Sequence, residues 1–221
     1  RVEVRTETEY PFREALKLTV NTDAPVRFPL LLRIPQWSAG TVIHIPGEDA
    51  VLPQNGTFHR LEREWKRGIT EITITFPMQP RLTRRPRNTV AIERGPFVYG
   101  LKIGEEWKRV NADKPYRELP HADYEVYATT PWNYGLSLAE ETCEQELAFT
   151  EQPIGQSPFS QEGAPIMCQV KGRRIPEWQD KHGSAGILPE YPVTSSEPEE
   201  TLTLIPYGCT NLRITEFPIL G

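Results

Sequence analysis

Leu16-Lys17-Leu18-Thr19-Val20 and Ile72-Thr73-Ile74-Thr75-Phe76 decide the fold class. In both runs apolar and polar residues alternate with a period of two. A strand points successive side chains to opposite faces, so this pattern buries one set and wets the other. The β-branched residues in these runs suit a pleated surface. Working outward, Leu30, Leu32 and Ile34 repeat the pattern within Arg27–Ile34, and Val42–Ile45 is a further short β-branched run. Pro35, Pro46-Gly47, Pro53 and Arg67-Gly68 punctuate the runs, and Asn55-Gly56 has the residues that tolerate the positive φ of a tight hairpin. Many short strands at close spacing predict a β-sandwich or barrel rather than a parallel α/β sheet.

The chain has 221 residues, room for two small domains, and 22 of them are proline. Proline lacks the N–H and clashes with the preceding turn, so that density works against long helices. A boundary is expected near Gly100–Glu106, after Val98-Tyr99-Gly100-Leu101 and before the polar stretch Glu105–Asp123. A second set of strands is expected at Tyr124–Tyr127, Asn133–Leu138, Pro165–Arg174, Thr201–Ile205 and Leu212–Phe217, with Gly183–Glu200 as a long surface loop. Leu138–Ala148 holds strong helix formers, including Ala139, Glu140, Glu141, Glu146 and Leu147. Its apolar spacing suits an amphipathic helix poorly, so it reads as strand–turn–strand. The expectation is therefore an all-β chain of two antiparallel, jelly-roll-like β-sandwich domains, residues 1–104 and 105–221.

A net charge of −5 argues against general attraction to nucleic acid. The basic run Arg81, Arg84, Arg85 and Arg87 opposes that balance and reads either as an anion site or as a solvated loop. It has no interleaved aromatics for base stacking. No stretch approaches the roughly 20 apolar residues of a membrane helix, so no membrane partner is expected and the chain reads as soluble. It opens on Arg1-Val2-Glu3-Val4-Arg5-Thr6, already alternating and without an initiator methionine or a signal peptide, and so reads as a piece of a larger protein of unassigned compartment. Cys143, Cys168 and Cys209 are too few and too scattered for a disulfide framework. None belongs to a C-x-x-C pair and the four histidines are dispersed, so no metal site or other cofactor is expected within the chain.

The familiar catalytic signatures, G-x-S-x-G, H-E-x-x-H and a phosphate-binding glycine loop, are missing from the sequence. Carboxylates are abundant, but glycoside hydrolysis needs two of them facing one sugar, and the sequence alone pairs none. No catalytic residue is assigned. Of the five tryptophans, Trp65 reads as core and Trp178 as a pin holding a loop. Trp132 and Tyr134, in Pro131-Trp132-Asn133-Tyr134-Gly135, are the candidates for carbohydrate contact, which a stand-alone carbohydrate-binding module would use.

Several ordered patterns resemble the C-terminal region of glycoside hydrolase family 127, whose members include bacterial β-L-arabinofuranosidases. They are Glu7-Thr8-Glu9-Tyr10-Pro11-Phe12, Leu32-Arg33-Ile34-Pro35-Gln36-Trp37, Gly56–Trp65, Val90–Tyr99, Pro131–Gly135, Arg173–Trp178 and Leu204-Ile205-Pro206-Tyr207-Gly208-Cys209-Thr210. The resemblance covers nearly the whole chain. It implies β-sandwich domains that come after an N-terminal (α/α) catalytic barrel, and a bacterial source. It also implies that a zinc-bound cysteine nucleophile and a glutamate acid/base lie in that barrel and not here. None of the three cysteines matches the nucleophile's motif, and Cys209 reads as structural. The expected partners are the barrel of the parent protein and a second copy in a homodimer. An apolar patch is expected around Tyr10-Pro11-Phe12 or Trp37.

Overall fold

The computed structural model describes residues 1–139, 142–190 and 192–221. It is about 46% strand and 6% helix, the all-β class expected. The chain forms two compact units, Arg1–Gln79 with Arg94–Pro96, and Pro80–Glu93 with Phe97–Gly221.

In the first unit, β1 (Val2–Thr8), β2 (Ala15–Thr22), β4 (Val42–His44) and β6 (Gly68–Thr75) form a sheet in the order β1-β2-β6-β4. β3 (Val26–Arg33) and β5 (Phe58–Trp65) form a separate pair. All of these pairings are antiparallel. The alternating residues behave as the period demands: Val20, Ile72, Ile74 and Phe76 enter one core with Leu32, Ile34, Ile43, Ile45 and Trp65. Trp65 is fully buried, and its ring stacks on Phe28 with centroids 5.2 Å apart. Its indole N–H donates to the Phe28 carbonyl at 2.9 Å, so the one polar atom of a large apolar group is satisfied. Asn55-Gly56 does make a turn, with Gly56 at φ +74°, but not a two-residue hairpin. The Gly56 N–H donates to the Ile34 carbonyl and the Asn55 amide to the Gln36 carbonyl, tying the turn to the end of β3. The positive φ is what calls for glycine at residue 56, because the only atoms an added Cβ would crowd belong to the flexible, exposed Gln36 side chain.

The second unit contains β7 (Pro80–Arg84), β8 (Val90–Arg94), β9 (Phe97–Leu101), β12 (Tyr134–Leu136), β13 (Ala148–Glu151), β14 (Ile166–Arg174) and β15 (Glu199–Pro206). They form one sheet in the order β12-β14-β15-β9-β8-β7, with β13 also on β14, and the sheet curls into a half-barrel. β15 lies antiparallel between β14 and β9, with Leu204 opposite both Cys168 and Leu101. β10 (Glu105–Val110) and β11 (Asp123–Ala128) form a hairpin of their own. β10 falls in the stretch that reads as polar and unpatterned, because it has no buried residue to reveal a period.

The structure departs from the sequence reading in four further places. The division between units falls at Gln79/Pro80 and not at Gly104, because β9 pairs with β15, about a hundred residues further on, and so belongs to the second unit. Leu212–Phe217 is not a continuous strand: Ile214 accepts from the Leu101 N–H, and Phe217 exchanges both backbone hydrogen bonds with Val90. Leu138–Ala148 contains a one-turn helix, α1 (Cys143–Glu146), before β13. The Glu146 carboxylate closes this turn by accepting from the Thr142 hydroxyl and the Ala139 N–H, while Glu140 and Glu141 lie outside the described residues. The basic run is not one loop, since Arg81 and Arg84 sit on β7.

Trp65→Ala removes the largest side chain of the first core. A loss of about 3–5 kcal/mol in stability is expected, measured by urea denaturation.

Candidate functional site

The first unit has an apolar opening. Its second layer has only two strands against four, so the core face of β1 extends past it. Val4 lies opposite Val20 across the ladder, and cross-strand partners share a face. Yet Val20 is buried while Val4 is 49% exposed. Beside it a groove of about 310 Å³ is lined by Tyr10, Leu16, Leu18, Leu31, Ile74 and Phe76 among others. Tyr10 and Trp37 both make edge contacts to Phe76, at 6.5 and 6.2 Å between centroids. Of the expected patch, Tyr10 lines the groove, Trp37 is half-buried beside it, and Phe12 is buried.

The second unit carries a polar site that the sequence does not announce. Glu105 is its centre. Its carboxylate accepts from the Asn211 N–H at 3.0 Å, the Asn211 side-chain amide at 2.9 Å, the Leu212 N–H at 3.2 Å, the Gln161 amide at 2.7 Å and the Trp107 indole N–H at 3.1 Å. Partial burial works against its charge, but the hydrogen bonds from Asn211, Leu212 and Trp107 outweigh that, and its pKa lies below the ordinary carboxylate value. Trp107, so anchored, is 51% exposed and meets Tyr124 edge to face at 5.7 Å. Trp107 and Phe159 both line a pocket of about 370 Å³, and Phe159 lies against Gly208, where an added Cβ would come within 3.1 Å of its ring.

Trp132 and Tyr134 are separated in role. Trp132 packs edge to face on Trp178 at 5.2 Å, against a cluster that includes Ile175 and Val193, and one part of it lines a cavity of about 530 Å³. Tyr134 is 5% exposed and its hydroxyl donates to Glu200 at 3.1 Å, so its ring offers no stacking face. Asn133 between them holds the segment by donating to the Ile175 and Trp178 carbonyls. Trp178 pins its loop as expected, donating from its indole to the Gly186 carbonyl at 3.0 Å. The four arginines do not converge on an anion. Arg81 and Arg85 both pair with Glu93, Arg84 donates to the Asn88 side chain, and Arg87 reaches the Leu188 carbonyl and Glu190.

All three cysteines are reduced thiols, and Cys168 and Cys209 are buried. Burial pushes the Cys209 thiol up to about 11, and it donates to the Pro158 carbonyl at 3.4 Å. A thiol kept protonated is a poor nucleophile and a poor zinc ligand. Among the described residues, no three His, Cys, Asp or Glu side chains come together as a metal-ligand set. The zinc site of the resembled family therefore does not fit these described residues. No helix among them is long and apolar enough to cross a membrane.

The likeness of the chain to known proteins is of two kinds, one in sequence over the first unit and one in fold over the whole chain. Residues 1–78 match the family described as beta-L-arabinofuranosidase, GH127 middle domain, and this stretch coincides with the main body of the first compact unit. Solved structures share the fold of the whole chain. A GH127 beta-L-arabinofuranosidase from Geobacillus stearothermophilus T6 is 22% identical at a TM-score of 0.59, over 99% of this chain and 30% of that one. A glycoside hydrolase is 21% identical at 0.61, over 100% and 32%. A GH127 beta-arabinofuranosidase is 18% identical at 0.53, over 99% and 32%. The chain thus spans about a third of the length of the proteins whose fold it shares. No curated protein matches its sequence.

Glu105 and Cys209 each give a measurable outcome. A carboxylate with a lowered folded-state pKa adds stability above its unfolded pKa and loses it as pH falls through the folded value. Urea denaturation from about pH 5 downward should therefore show a flatter acid limb in Glu105→Gln, with lower stability at neutral pH. Cys209 should react slowly with iodoacetamide at about pH 8 in the folded protein and rapidly once unfolded.

Proposed function

We propose that this chain is a non-catalytic accessory β-sandwich region of a glycoside hydrolase of the β-L-arabinofuranosidase type, acting on plant-type glycans. The observation that carries the reading is the coincidence of the GH127 middle-domain match, residues 1–78, with the compact unit Arg1–Gln79. The coverage of only about a third of the longer glycosidase chains supports it. The work assigned to the region is mechanical. A catalytic barrel elsewhere in the parent protein has an apolar face to bury, and the groove beside Tyr10, Leu31 and Phe76 offers the complementary surface. Burying a large apolar side chain of that kind contributes roughly 1.5–3 kcal/mol, so a few of them are enough to dock a domain. A two-fold contact between copies is a further use of the same sandwiches. Bond cleavage, with any zinc it needs, belongs to the barrel.

The test has two arms. The chain alone should release no aryl alcohol from an aryl β-L-arabinofuranoside, with or without zinc and reductant. Turnover that disappears in Cys209→Ala would overturn the reading. Added to the separately expressed barrel of its parent, the chain should form a complex on sedimentation, and Leu31→Glu should break it. A complex indifferent to Leu31→Glu would rule the groove out as the docking surface.

A further inference from the structure

The pocket beside Glu105 has no place in the docking role. It lies in the second unit, outside the residues that match the family's middle domain. We propose that it is a non-catalytic binding site for a neutral sugar, one or two rings of a glycan chain, held between Trp107 and Phe159.

Four features carry this. First, a volume of about 370 Å³ falls within the 300–1,000 Å³ usual for small-ligand sites. Second, its aromatics are exposed yet ordered. Trp107 is 51% exposed although its indole N–H is tied to Glu105 and its ring meets Tyr124. Phe159 is 53% exposed although it lies against the Gly208 backbone. An exposed ring whose orientation is already fixed loses little entropy when a flat ligand face settles on it. The C–H face of a sugar ring is such a partner, with its hydroxyls left at the edge for polar groups. Third, the floor is built in advance. The Gln161 amide donates to the Ile103 carbonyl and to Glu105, Ser160 accepts from the Gly163 N–H, and Thr210 donates to the Leu212 carbonyl. Fourth, the charge selects against anions. Glu105 and Glu162 line the pocket, so a phosphorylated or carboxylated ligand meets repulsion. Glu105 is saturated by its own five donors, and the exposed Glu162 carboxylate is the acceptor left for neutral hydroxyls. The same acidic lining, with polar side chains beside the two aromatics, favours a polyhydroxylated ring over a proline-rich peptide, which needs an aromatic-lined groove.

Trp132, the tryptophan that sequence context favours for sugar contact, sits in a different cavity and is braced edge-on by Trp178. It serves as the internal control. The inference goes beyond the glycosidase reading and takes only its first probe from it.

The experiment is a titration of the whole chain, labelled with nitrogen-15, with arabinotriose and, separately, xylotriose at millimolar concentration, observing the five indole N–H signals. The Trp107 signal, assigned through Trp107→Phe, should shift saturably with at least one of the two sugars, and the Trp132 signal should not. Trp107→Ala and Phe159→Ala should each weaken binding by about tenfold or more. Phe159→Ala leaves the β10–β11 hairpin intact and decides the matter if Trp107→Ala disturbs it. A Trp107 signal unmoved by both sugars, binding undiminished in Phe159→Ala, or a shift produced only by a proline-rich peptide would each overturn the proposal. None of these results bears on whether the chain docks to a barrel.

Discussion

β15 pairs with β14 along one edge and with β9 along the other, and the second unit depends on that double pairing. Leu204 lies opposite Cys168 on one side and Leu101 on the other, all three buried. This register joins Phe97–Leu101 to a strand about a hundred residues later and removes it from the first unit. It also sets the path of the chain beyond β15. The backbone turns through Tyr207–Cys209 and comes back past β9, where the Leu101 N–H donates to the Ile214 carbonyl. The returning segment brings Asn211 and Leu212 to the Glu105 carboxylate, just after β9 in the chain. The anchoring of Trp107 is thus a consequence of strand register far from it in sequence.

Sequence reasoning reached the elements that bury one face. β2, β3, β6, β14 and β15 all alternate or carry contiguous apolar runs, and a buried core selects for that period. It failed where burial does not write a pattern. β10 has no buried residue, so its strand character leaves no alternating trace, and with it went the hairpin, Glu105 and the exposed Trp107. The Leu212–Phe217 alternation is real, but the segment bonds to β8 and β9 one residue at a time and never lies along them as a strand. The unit boundary was invisible for the same kind of reason: nothing near Leu101 tells whether its partner precedes it or comes later. Trp132 and Tyr134 looked alike in a proline- and glycine-flanked stretch, yet the side-chain hydrogen bonds of Asn133 to Ile175 and Trp178 put one ring at a cavity wall and the other in the interior.

The two units carry different surfaces. The first is apolar where its two-stranded layer fails to cover β1, which suits contact with another protein surface. The second is polar and aromatic around Glu105, which suits a hydroxylated ligand. The basic run on β7 and after it does not point at one place: its arginines pair separately with Glu93, Asn88, the Leu188 carbonyl and Glu190. Cys168 and Cys209 are buried, and burial raises the pKa of Cys209 and so disfavours its thiolate.

Hydrogen exchange under native conditions, read by mass spectrometry, tests the central pairing most directly. Residues 97–101 and 199–206 should exchange together, with the same free energy of opening and the same response to denaturant, separately from residues 15–33. Protection of residues 97–101 that tracks residues 15–33 and ignores residues 199–206 would contradict the pairing.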